Sequence, residues 1–244
     1  MNILISGILG KMGHLIAHQT SESNMFTLLG GIDAKGRTTA QFIVYKTFTD
    51  APVADVIIDF SYPEAIEPLC QYAIEKNIPL VLGTTGYTPA QQLLIRQTSE
   101  KIPVFQSANF SYGVLVMRRL LTLAAPYLKD FDIELVEAHH NQKADAPSGT
   151  AKLLIKTINE ALPVERESVS GHGNGKRIPD TIGVHAIRAG SIPGDHSVLF
   201  ASESEGIEIS HRAFSKDVFA QGALRAAQFI VSASVGYYTM DDLL

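Results

Sequence analysis

The chain has 244 residues, of which 45% are hydrophobic and 18% are charged, so it can bury a sizeable core in one or two domains. This balance excludes disordered and collagen-like proteins. Its 20 basic and 25 acidic side chains give a net charge of −5, which provides no general attraction to nucleic acid or to an anionic membrane. A small or neutral partner is therefore expected.

Targeting signals and cysteine content favour a cytoplasmic protein. The apolar runs are shorter than the roughly 20 residues that cross a bilayer, so no membrane partner is expected. The first residues lack the basic lead and long apolar run of a signal peptide. The single cysteine, Cys70, cannot form an intramolecular disulfide, and its apolar helical surroundings predict a buried thiol.

Short apolar runs alternate with amphipathic stretches along the first half of the chain. The apolar runs predict strands at residues 3–5, 26–32, 56–60, 79–82 and 103–105. The amphipathic stretches predict helices at residues 11–19, 63–75 and 89–99. Because the strands are apolar throughout, they suit a parallel sheet with helices on both faces. The sequence therefore predicts a Rossmann-like, doubly wound α/β domain.

After Ser111 the pattern changes to that of an α+β domain. Helices are predicted at residues 113–128 and 150–162, and an alternating strand at 132–137. Residues 163–181 hold prolines, glycines and charges without periodicity, which predicts a long loop. Residues 182–212 contain three short strand candidates separated by turns, which predict an antiparallel ribbon. A last helix at 217–234 is expected to return to the first domain.

A glycine-rich turn connects the first predicted strand to the first helix. Its residues are Gly7, Ile8, Leu9, Gly10, Lys11, Met12 and Gly13. Glycine lets the backbone approach a pyrophosphate, and the N–H groups of a helix amino end favour its negative charge. The G-x-x-G-x-x-G spacing differs from the strict dinucleotide fingerprint, so a purely structural turn stays an alternative.

Two charged residues bear on which dinucleotide is used. Asp33 ends the second predicted strand about twenty residues after the glycines, where a carboxylate accepts hydrogen bonds from ribose hydroxyls. Lys35 is a candidate partner for a 2′-phosphate, although either charge could be a solvated turn residue. Because the two effects oppose each other, we predict use of both NADH and NADPH, with a mild preference for NADH.

Two further loops follow predicted parallel strands at their carboxyl ends, where open α/β sheets bind ligands. Their candidate cofactor-binding residues are Gly83, Thr84 and Thr85 in one loop and Ser107, Ala108, Asn109 and Phe110 in the other. We expect these loops to hold a nicotinamide ring and its amide. Ordinary strand-to-helix turns use the same residue types, so a structural role is the alternative.

A polar loop after the strand at 132–137 carries a second group of candidate residues. Ser148, Gly149 and Thr150 open a helix whose N–H groups and hydroxyls suit a carboxylate. Two further side chains, Lys143 and His140, add positive charge toward the same anion. His139 can supply a proton near neutral pH, which makes it a candidate general acid.

Metal binding and nucleophilic catalysis are the rival interpretations of this loop. Neighbouring residues of a strand point to opposite faces, so His139 and His140 would not readily chelate one ion, and the single cysteine is remote. We therefore expect no metal. Ser148 lacks the surrounding G-x-S-x-G turn of a nucleophilic serine.

Over nearly its whole length the chain resembles the 4-hydroxy-tetrahydrodipicolinate reductase (dihydrodipicolinate reductase) family of lysine biosynthesis through diaminopimelate. The motifs that carry the resemblance are the glycine turn and residues 59–61, 83–86, 108–111, 137–140 and 146–150. The resemblance implies binding of NADH or NADPH by the first domain, a substrate domain with a mixed sheet, and a homotetramer formed through those sheets.

The resemblance also implies roles for individual residues. His139 matches the proton donor of the family, and Lys143 matches its partner at the substrate. The positions that match the carboxylate-binding set are His140, Ser148, Gly149 and Thr150. Two positions depart from the pattern, because Ala34 follows Asp33 where relatives often have a basic residue, and Lys216 stands where some have arginine.

The sequence thus predicts an oxidoreductase that reduces 4-hydroxy-tetrahydrodipicolinate, a small dicarboxylate, to tetrahydrodipicolinate with NADH or NADPH. Residues 1–110 and 217–244 would form the dinucleotide-binding domain, and residues 111–216 the substrate-binding and oligomerisation domain. Two alternatives stay open. One is another NAD(P)-dependent dehydrogenase, acting on a sugar, a semialdehyde or a small carboxylate, since a dinucleotide fold does not specify the substrate. The other is a non-catalytic dinucleotide sensor.

Overall fold

The computed structural model describes residues 1–34, 36 and 41–244 and divides the chain into two compact units. Unit 1 consists of residues 1–111 and 217–244, and unit 2 of residues 112–216. Each unit has its own sheet and its own apolar core. Among the described residues, no helix is both long enough and apolar enough to cross a membrane.

In the described part of unit 1, seven parallel strands form one sheet. In chain order they are β1 (Asn2–Ser6), β2 (Thr27–Ile32), β3 (Val44–Tyr45), β4 (Val56–Asp59), β5 (Leu80–Leu82), β6 (Pro103–Gln106) and β12 (Gly236–Tyr238). Their spatial order is β12-β6-β5-β4-β1-β2-β3, so the chain builds outward from β1 in both directions. This arrangement confirms the predicted doubly wound parallel sheet.

Four α-helices formed by described residues pack on this sheet: α1 (Lys11–Ser21), α2 (Ile66–Lys76), α3 (Pro89–Ser99) and α6 (Asp217–Ile230). Helices α2 and α3 pack together, and their apolar side chains bury Leu4, Ile57 and Leu80 of the strands. Helix α6 packs against α1 and against β4, β5 and β6. Because successive strand side chains point to opposite faces, strands covered on both sides are apolar at every position.

Unit 2, in which every residue is described, contains a mixed five-stranded sheet and two helices. The elements are α4 (Tyr112–Ala124), β7 (Asp132–His139), α5 (Gly149–Ala161), β8 (Glu167–Ser170), β9 (Thr181–Arg188), β10 (Asp195–Ala201) and β11 (Gly206–Arg212). The strand order is β11-β10-β7-β9-β8, which places β7 at the centre. Buried side chains of α4 and α5 form the core with Ile133, Leu135 and Phe200 on one face of this sheet.

Two sequence predictions for unit 2 are wrong in part. The loop predicted at 163–181 contains β8, an edge strand whose four residues include one apolar side chain, Val169, so no periodicity marks it. The predicted antiparallel ribbon fails for β9, which pairs in parallel with β7 and β8, while β10 pairs with β7 and β11. The turn at 191–195 marks where the chain reverses but not which strands become neighbours.

Helix α4 also ends earlier than the predicted residue 128. Its last residue is Ala124, and Pro126 follows two positions later. Proline has no N–H to donate and disfavours helical backbone in the residue before it. The apolar pattern continues past this point, which explains why the sequence predicted a longer helix.

Candidate active site

The carboxyl ends of β1, β2 and β4 surround a cavity of about 550 Å³ in unit 1. Four residues predicted to bind a cofactor line it: Gly7, Leu9, Gly10 and Asp33. Asp33 directly follows β2, and the glycine turn directly follows β1. The structure therefore brings together the two features from which the sequence predicted a dinucleotide site.

Glycine is required at the start of this turn by the fold itself. Gly7 has a φ of +78°, and a Cβ atom at this position would lie 2.5 Å from the carbonyl oxygen of Phe60. Gly10 is the N-cap residue of α1 and has no side chain to occupy the first N–H groups of the helix. The first turn of α1 also contains no acidic residue. An exposed helix amino end of this kind fits the pyrophosphate of a dinucleotide.

Beside the cavity, the buried carboxylate of Asp59 connects the ends of neighbouring strands. It accepts hydrogen bonds from Ser61 Oγ at 2.5 Å and from Thr84 Oγ1 at 2.6 Å, with Tyr87 OH at 3.4 Å. Burial raises the pKa of Asp59, although these hydroxyls and that of Ser6 act to lower it. The Thr84 hydroxyl is thus held in the protein, and its predicted cofactor contact stays a prediction.

The other predicted cofactor residues differ in what they can offer. Ile8 is fully buried, and Phe110 is buried against the rings of Phe60 and Phe105, so their side chains face the core. Exposed residues in this set are Lys11, Thr85 and Ala108, and partly buried ones are Met12, Gly83, Ser107 and Asn109. Lys35 lies outside the described residues. Contacts of all these residues with a cofactor stay predictions.

In unit 2 the carboxylate of Glu137 is fully buried and has several donors. Arg188 binds it with both terminal nitrogens, Nη1 to Oε2 at 2.8 Å and Nη2 to Oε1 at 2.7 Å. The backbone N–H of Ser148 donates to Oε1 at 3.1 Å, and His139 Nδ1 lies 2.6 Å from Oε2. Burial acts to raise the pKa of Glu137, but the hydrogen bonds from Arg188, His139 and Ser148 outweigh it, and the pKa is lowered. Glu137 is therefore ionised at neutral pH.

The Glu137 carboxylate determines which nitrogen of the His139 ring carries a hydrogen. An ionised carboxylate only accepts hydrogen bonds, so Nδ1 of His139 carries a hydrogen. The other ring nitrogen, Nε2, is therefore the one that can exchange a proton with a substrate. It lies beside Gly194, where a Cβ atom would come within 3.1 Å of Nε2. Glycine at 194 keeps that side of the ring open.

The hydroxyl of Ser148 has hydrogen-bond partners within the protein. As the N-cap residue of α5, Ser148 accepts a hydrogen bond from the N–H of Ala151 at 3.1 Å, and its Oγ lies 3.1 Å from His196 Nε2. The side chain is buried. Contact between this hydroxyl and a substrate carboxylate stays a prediction, whereas Gly149, the first residue of α5, is exposed.

The remaining loop residues lie at the surface of unit 2 near this helix end. Lys143 forms an ion pair with Asp145, with Nζ 2.7 Å from Oδ1. Its hydrogen bond and charge lower the pKa of Asp145. His140 and Thr150 are partly buried, and the carbonyl oxygen of His140 accepts from the N–H of Lys143 at 3.2 Å. An ammonium group has three N–H donors, so Lys143 can bind a further anion while it stays paired with Asp145.

The sequence analysis did not predict the positions of three residues at this site, Glu137, Arg188 and His196. Glu137 shares a strand face with His139 two residues later, so the alternation of β7 could have identified it as the partner of the imidazole. Arg188 and His196 come from β9 and β10, and no local sequence signal places them beside β7. Both terminal nitrogens of Arg188 bind Glu137.

A separate polar cluster lies on the other face of β7, where Glu134 meets two histidines and an arginine. Glu134 accepts from His172 Nε2 and His185 Nε2, each at 2.8 Å, and from Arg177 Nε at 2.9 Å. Burial acts to raise the pKa of Glu134, but these hydrogen bonds outweigh it, and the pKa is lowered. The three potential metal ligands lie within 4.8 Å of one another. Since protein donors already occupy both carboxylate oxygens, the cluster ties residues 172–185 to β7.

The parallel sheet, the glycine turn and the cavity beside Asp33 define the class of the protein, one with a Rossmann-like dinucleotide-binding domain. Comparison with known proteins identifies the family. The model described as dihydrodipicolinate reductase, N-terminus, matches residues 1–110, and the model described as dihydrodipicolinate reductase, C-terminus, matches residues 113–244. The chain belongs to the dihydrodipicolinate reductase family.

Individual relatives agree with this assignment. The 4-hydroxy-tetrahydrodipicolinate reductase of Clostridium tetani (strain Massachusetts / E88) is 44% identical over 247 aligned positions, covering 100% of this chain and 97% of the relative. That of Caldanaerobacter subterraneus subsp. tengcongensis is also 44% identical, with 100% and 98% coverage. A solved structure of dipicolinate-bound dihydrodipicolinate reductase from Paenisporosarcina sp. TG-14 superimposes with a TM-score of 0.83 at 25% identity, covering 100% of this chain and 99% of that one.

We predict that acid destabilises the protein through His196. Burial is the main cause that lowers the pKa of His196 from 6.5 to about 4. Between these values the unfolded chain binds a proton at this residue and the folded chain does not. The free energy of unfolding therefore falls as the pH drops from about 6.5 toward 4, by up to about 3 kcal/mol from this residue.

Urea unfolding of the wild type and of His196→Asn at several pH values measures this effect. In His196→Asn the free energy of unfolding should depend less on pH between about 6.5 and 4 than in the wild type. The control His18→Asn, on the exposed face of α1, should keep the pH dependence of the wild type. Parallel stability curves for wild type and His196→Asn across this pH range would contradict the prediction.

Proposed function

We propose that the chain reduces 4-hydroxy-tetrahydrodipicolinate to tetrahydrodipicolinate with NADH or NADPH, and that the loop of unit 2 carries the acid and the anion-binding groups. The observation that supports this most directly is the hydrogen-bonded chain of Arg188, Glu137 and His139 next to the amino end of α5. It places an oriented imidazole beside groups suited to a carboxylate. A sugar dehydrogenase would need no such anion site.

The residues of unit 1 fit the dinucleotide in distinct ways. The turn at Gly7 and Gly10 and the amino end of α1 would hold the pyrophosphate, and Asp33 would accept hydrogen bonds from the adenosine ribose. The hydroxylated substrate loses its 4-hydroxyl group as water to give a conjugated imine, and the bound cofactor would supply the hydride that reduces this imine. The chain's own task is to bind and orient the dicarboxylate and to control a proton.

His139 is the residue that would deliver this proton. The Glu137 carboxylate keeps Nδ1 protonated and stabilises the positive charge of the imidazolium form, so the proton to be donated is the one on Nε2. Its acceptor would be the enamine of the reduced substrate. Arg188 keeps the carboxylate in place, which makes it a positioning residue for His139.

Lys143, His140 and the amino end of α5 would hold the substrate carboxylates. The backbone N–H groups at Gly149 and Thr150 belong to the first turn of α5, where the helix dipole favours an anion. Lys143 is paired with Asp145, and its ammonium group has further N–H donors that would bind a substrate carboxylate. The substrate contact would therefore add a charged hydrogen bond to the existing ion pair.

Loss of NAD(P)H absorbance in the presence of enzymatically generated substrate tests the proposed function. Absorbance should fall with substrate and not without it, and dipicolinate should inhibit competitively with the substrate. Turnover of a polyol or a semialdehyde instead would favour another dehydrogenase. Tight binding of dinucleotide without turnover of any of these compounds would favour a sensor.

We predict that His139→Gln lowers kcat by about 10² to 10⁴, the usual contribution of general acid catalysis. Binding of NADH, followed by its fluorescence, should stay unchanged because the cofactor cavity belongs to unit 1. His18→Gln, an exposed histidine on α1, is the control and should keep wild-type kcat. Wild-type kcat in His139→Gln would remove this residue from the mechanism.

Lys143→Ala should raise KM for the dicarboxylate and lower kcat/KM by about 10- to 100-fold, since a charged hydrogen bond contributes about 1.5–3 kcal/mol. Steady-state kinetics with saturating cofactor measure the effect. Lys156→Ala removes an exposed lysine from α5 and should leave KM unchanged. Equal KM values for Lys143→Ala and wild type would place the anion-binding group elsewhere.

We also propose a homotetramer assembled through the sheets of unit 2. Helices α4 and α5 cover one face of this sheet, while the opposite face presents Leu199 and Ile187, 37% and 47% exposed. Light scattering should give four times the mass of the chain, and Leu199→Asp should lower it. The control Val164→Asp, on an exposed loop, should not. A monomeric wild type at micromolar concentration would contradict the proposal.

A further inference from the structure

Lys46 stands next to Asp33 although the two residues are separated in sequence. Strands β2 and β3 pair in parallel with Ile32 opposite Tyr45, and the N–H of Asp33 donates to the carbonyl oxygen of Tyr45 at 3.1 Å. Asp33 and Lys46 are the next residues on the two strands. Asp33 and Lys46 therefore lie side by side at the carboxyl ends of these two strands.

The side chain of Lys46 has a defined course across the backbone of Gly36. A Cβ atom on Gly36 would lie 2.3 Å from Cγ of Lys46 and 2.7 Å from its Cε. This close approach is possible because residue 36 is a glycine. The aliphatic stem of Lys46 therefore packs on the backbone of Gly36. The residue as a whole is exposed, so water can hydrate its ammonium group.

The cavity that contains Asp33 and the glycine turn is also lined by Lys46. Among its described lining residues Lys46 is the one cation, whereas Asp33 and Glu75 are acidic. Glu75 is paired with Lys76 at 2.8 Å. Asp50, four residues after Lys46, accepts a hydrogen bond from the Thr47 hydroxyl at 2.7 Å and adds a further negative charge to this segment. Among the described residues that line the cavity, Lys46 is therefore the one that can offer a counter-charge to a doubly charged ligand group near Asp33.

We propose that Lys46 binds the 2′-phosphate of NADPH and is a residue that determines the choice between NADPH and NADH. The proposal rests on the proposed function, because it assumes that the cavity takes the adenosine end of a nicotinamide dinucleotide. Asp33 suits the two free ribose hydroxyls of NADH and repels a phosphate on the 2′ position. Lys46 offsets this repulsion from the neighbouring strand, at a position the sequence analysis did not consider.

Binding without substrate tests Lys46 separately from turnover. Dissociation constants for NADPH, NADH, adenosine 5′-monophosphate and adenosine 2′,5′-bisphosphate are measured for the wild type, Lys46→Met, Lys46→Arg and Lys101→Met. Lys46→Met keeps most of the stem over Gly36 and removes the charge. Lys101 is an exposed lysine just before β6, on the opposite side of the sheet from β3, and serves as the control.

Lys46→Met should weaken NADPH and the bisphosphate about fivefold, the size expected of an exposed charge pair, and leave NADH and the monophosphate unchanged. Raising the salt concentration should shrink this difference. Lys46→Arg should bind NADPH like the wild type, and Lys101→Met should match the wild type for all four ligands. This pattern would support the proposal.

The proposal is overturned if Lys46→Met changes the constants for NADPH and NADH equally or changes neither. It is also overturned if Lys35→Met alone removes the preference for the bisphosphate over the monophosphate. Wild-type protein that binds neither NADH nor NADPH would instead contradict the proposed function. The two failures are therefore distinguishable in one set of titrations.

Discussion

The Glu137 carboxylate is the interaction on which the geometry of unit 2 depends. Its two oxygens accept hydrogen bonds from Arg188 in β9, from the backbone N–H of Ser148 just before α5 and from the imidazole of His139. Moving a carboxylate out of water costs several kcal/mol, and the cost is offset only when charge and hydrogen bonds replace the lost hydration. Here the groups that satisfy this charge are the same ones that orient the imidazole and fix the start of α5. Folding and the arrangement of the reactive groups therefore depend on one buried charge.

Asp59 provides the corresponding constraint in unit 1 by a different route. Its donors are neutral hydroxyls from β1, from the residues after β4 and from the loop after β5, among them Ser61 and Thr84. Arg188 gives Glu137 a counter-charge, and the direction of the pKa shift differs accordingly between the two carboxyl groups. Both carboxylates sit where strands end, so each connects loops that would otherwise be held only by backbone pairing.

The sequence predicted the parts of the fold that repeat a pattern. Apolar strands and periodic helices identified the doubly wound sheet, and the glycine turn with Asp33 pointed to the cavity that both of them line. Short edge strands such as β3 and β12 were not predicted, because two or three residues show no periodicity.

The partners of His139 were harder to predict because they depend on strand order. Arg188 and His196 reach β7 from the two strands that flank it, and turn chemistry does not reveal which strands become neighbours. For the same reason Lys46 was not considered beside Asp33. Its position follows from the pairing of β2 with a two-residue strand. Within β7 itself, the shared face of Glu137 and His139 was readable from alternation alone.

The division of unit 1 into two chain segments has a consequence for its synthesis. Strand β12 pairs with β6, and α6 covers β4, β5 and β6, so residues 217–244 complete a sheet that residues 1–111 begin. On the ribosome, unit 2 is made as one continuous segment and can fold while the first 111 residues still lack one strand and one helix. The apolar surface that α6 covers stays open to solvent throughout that interval. Its own chain therefore offers no cover for this surface until residues 217–230 have been made.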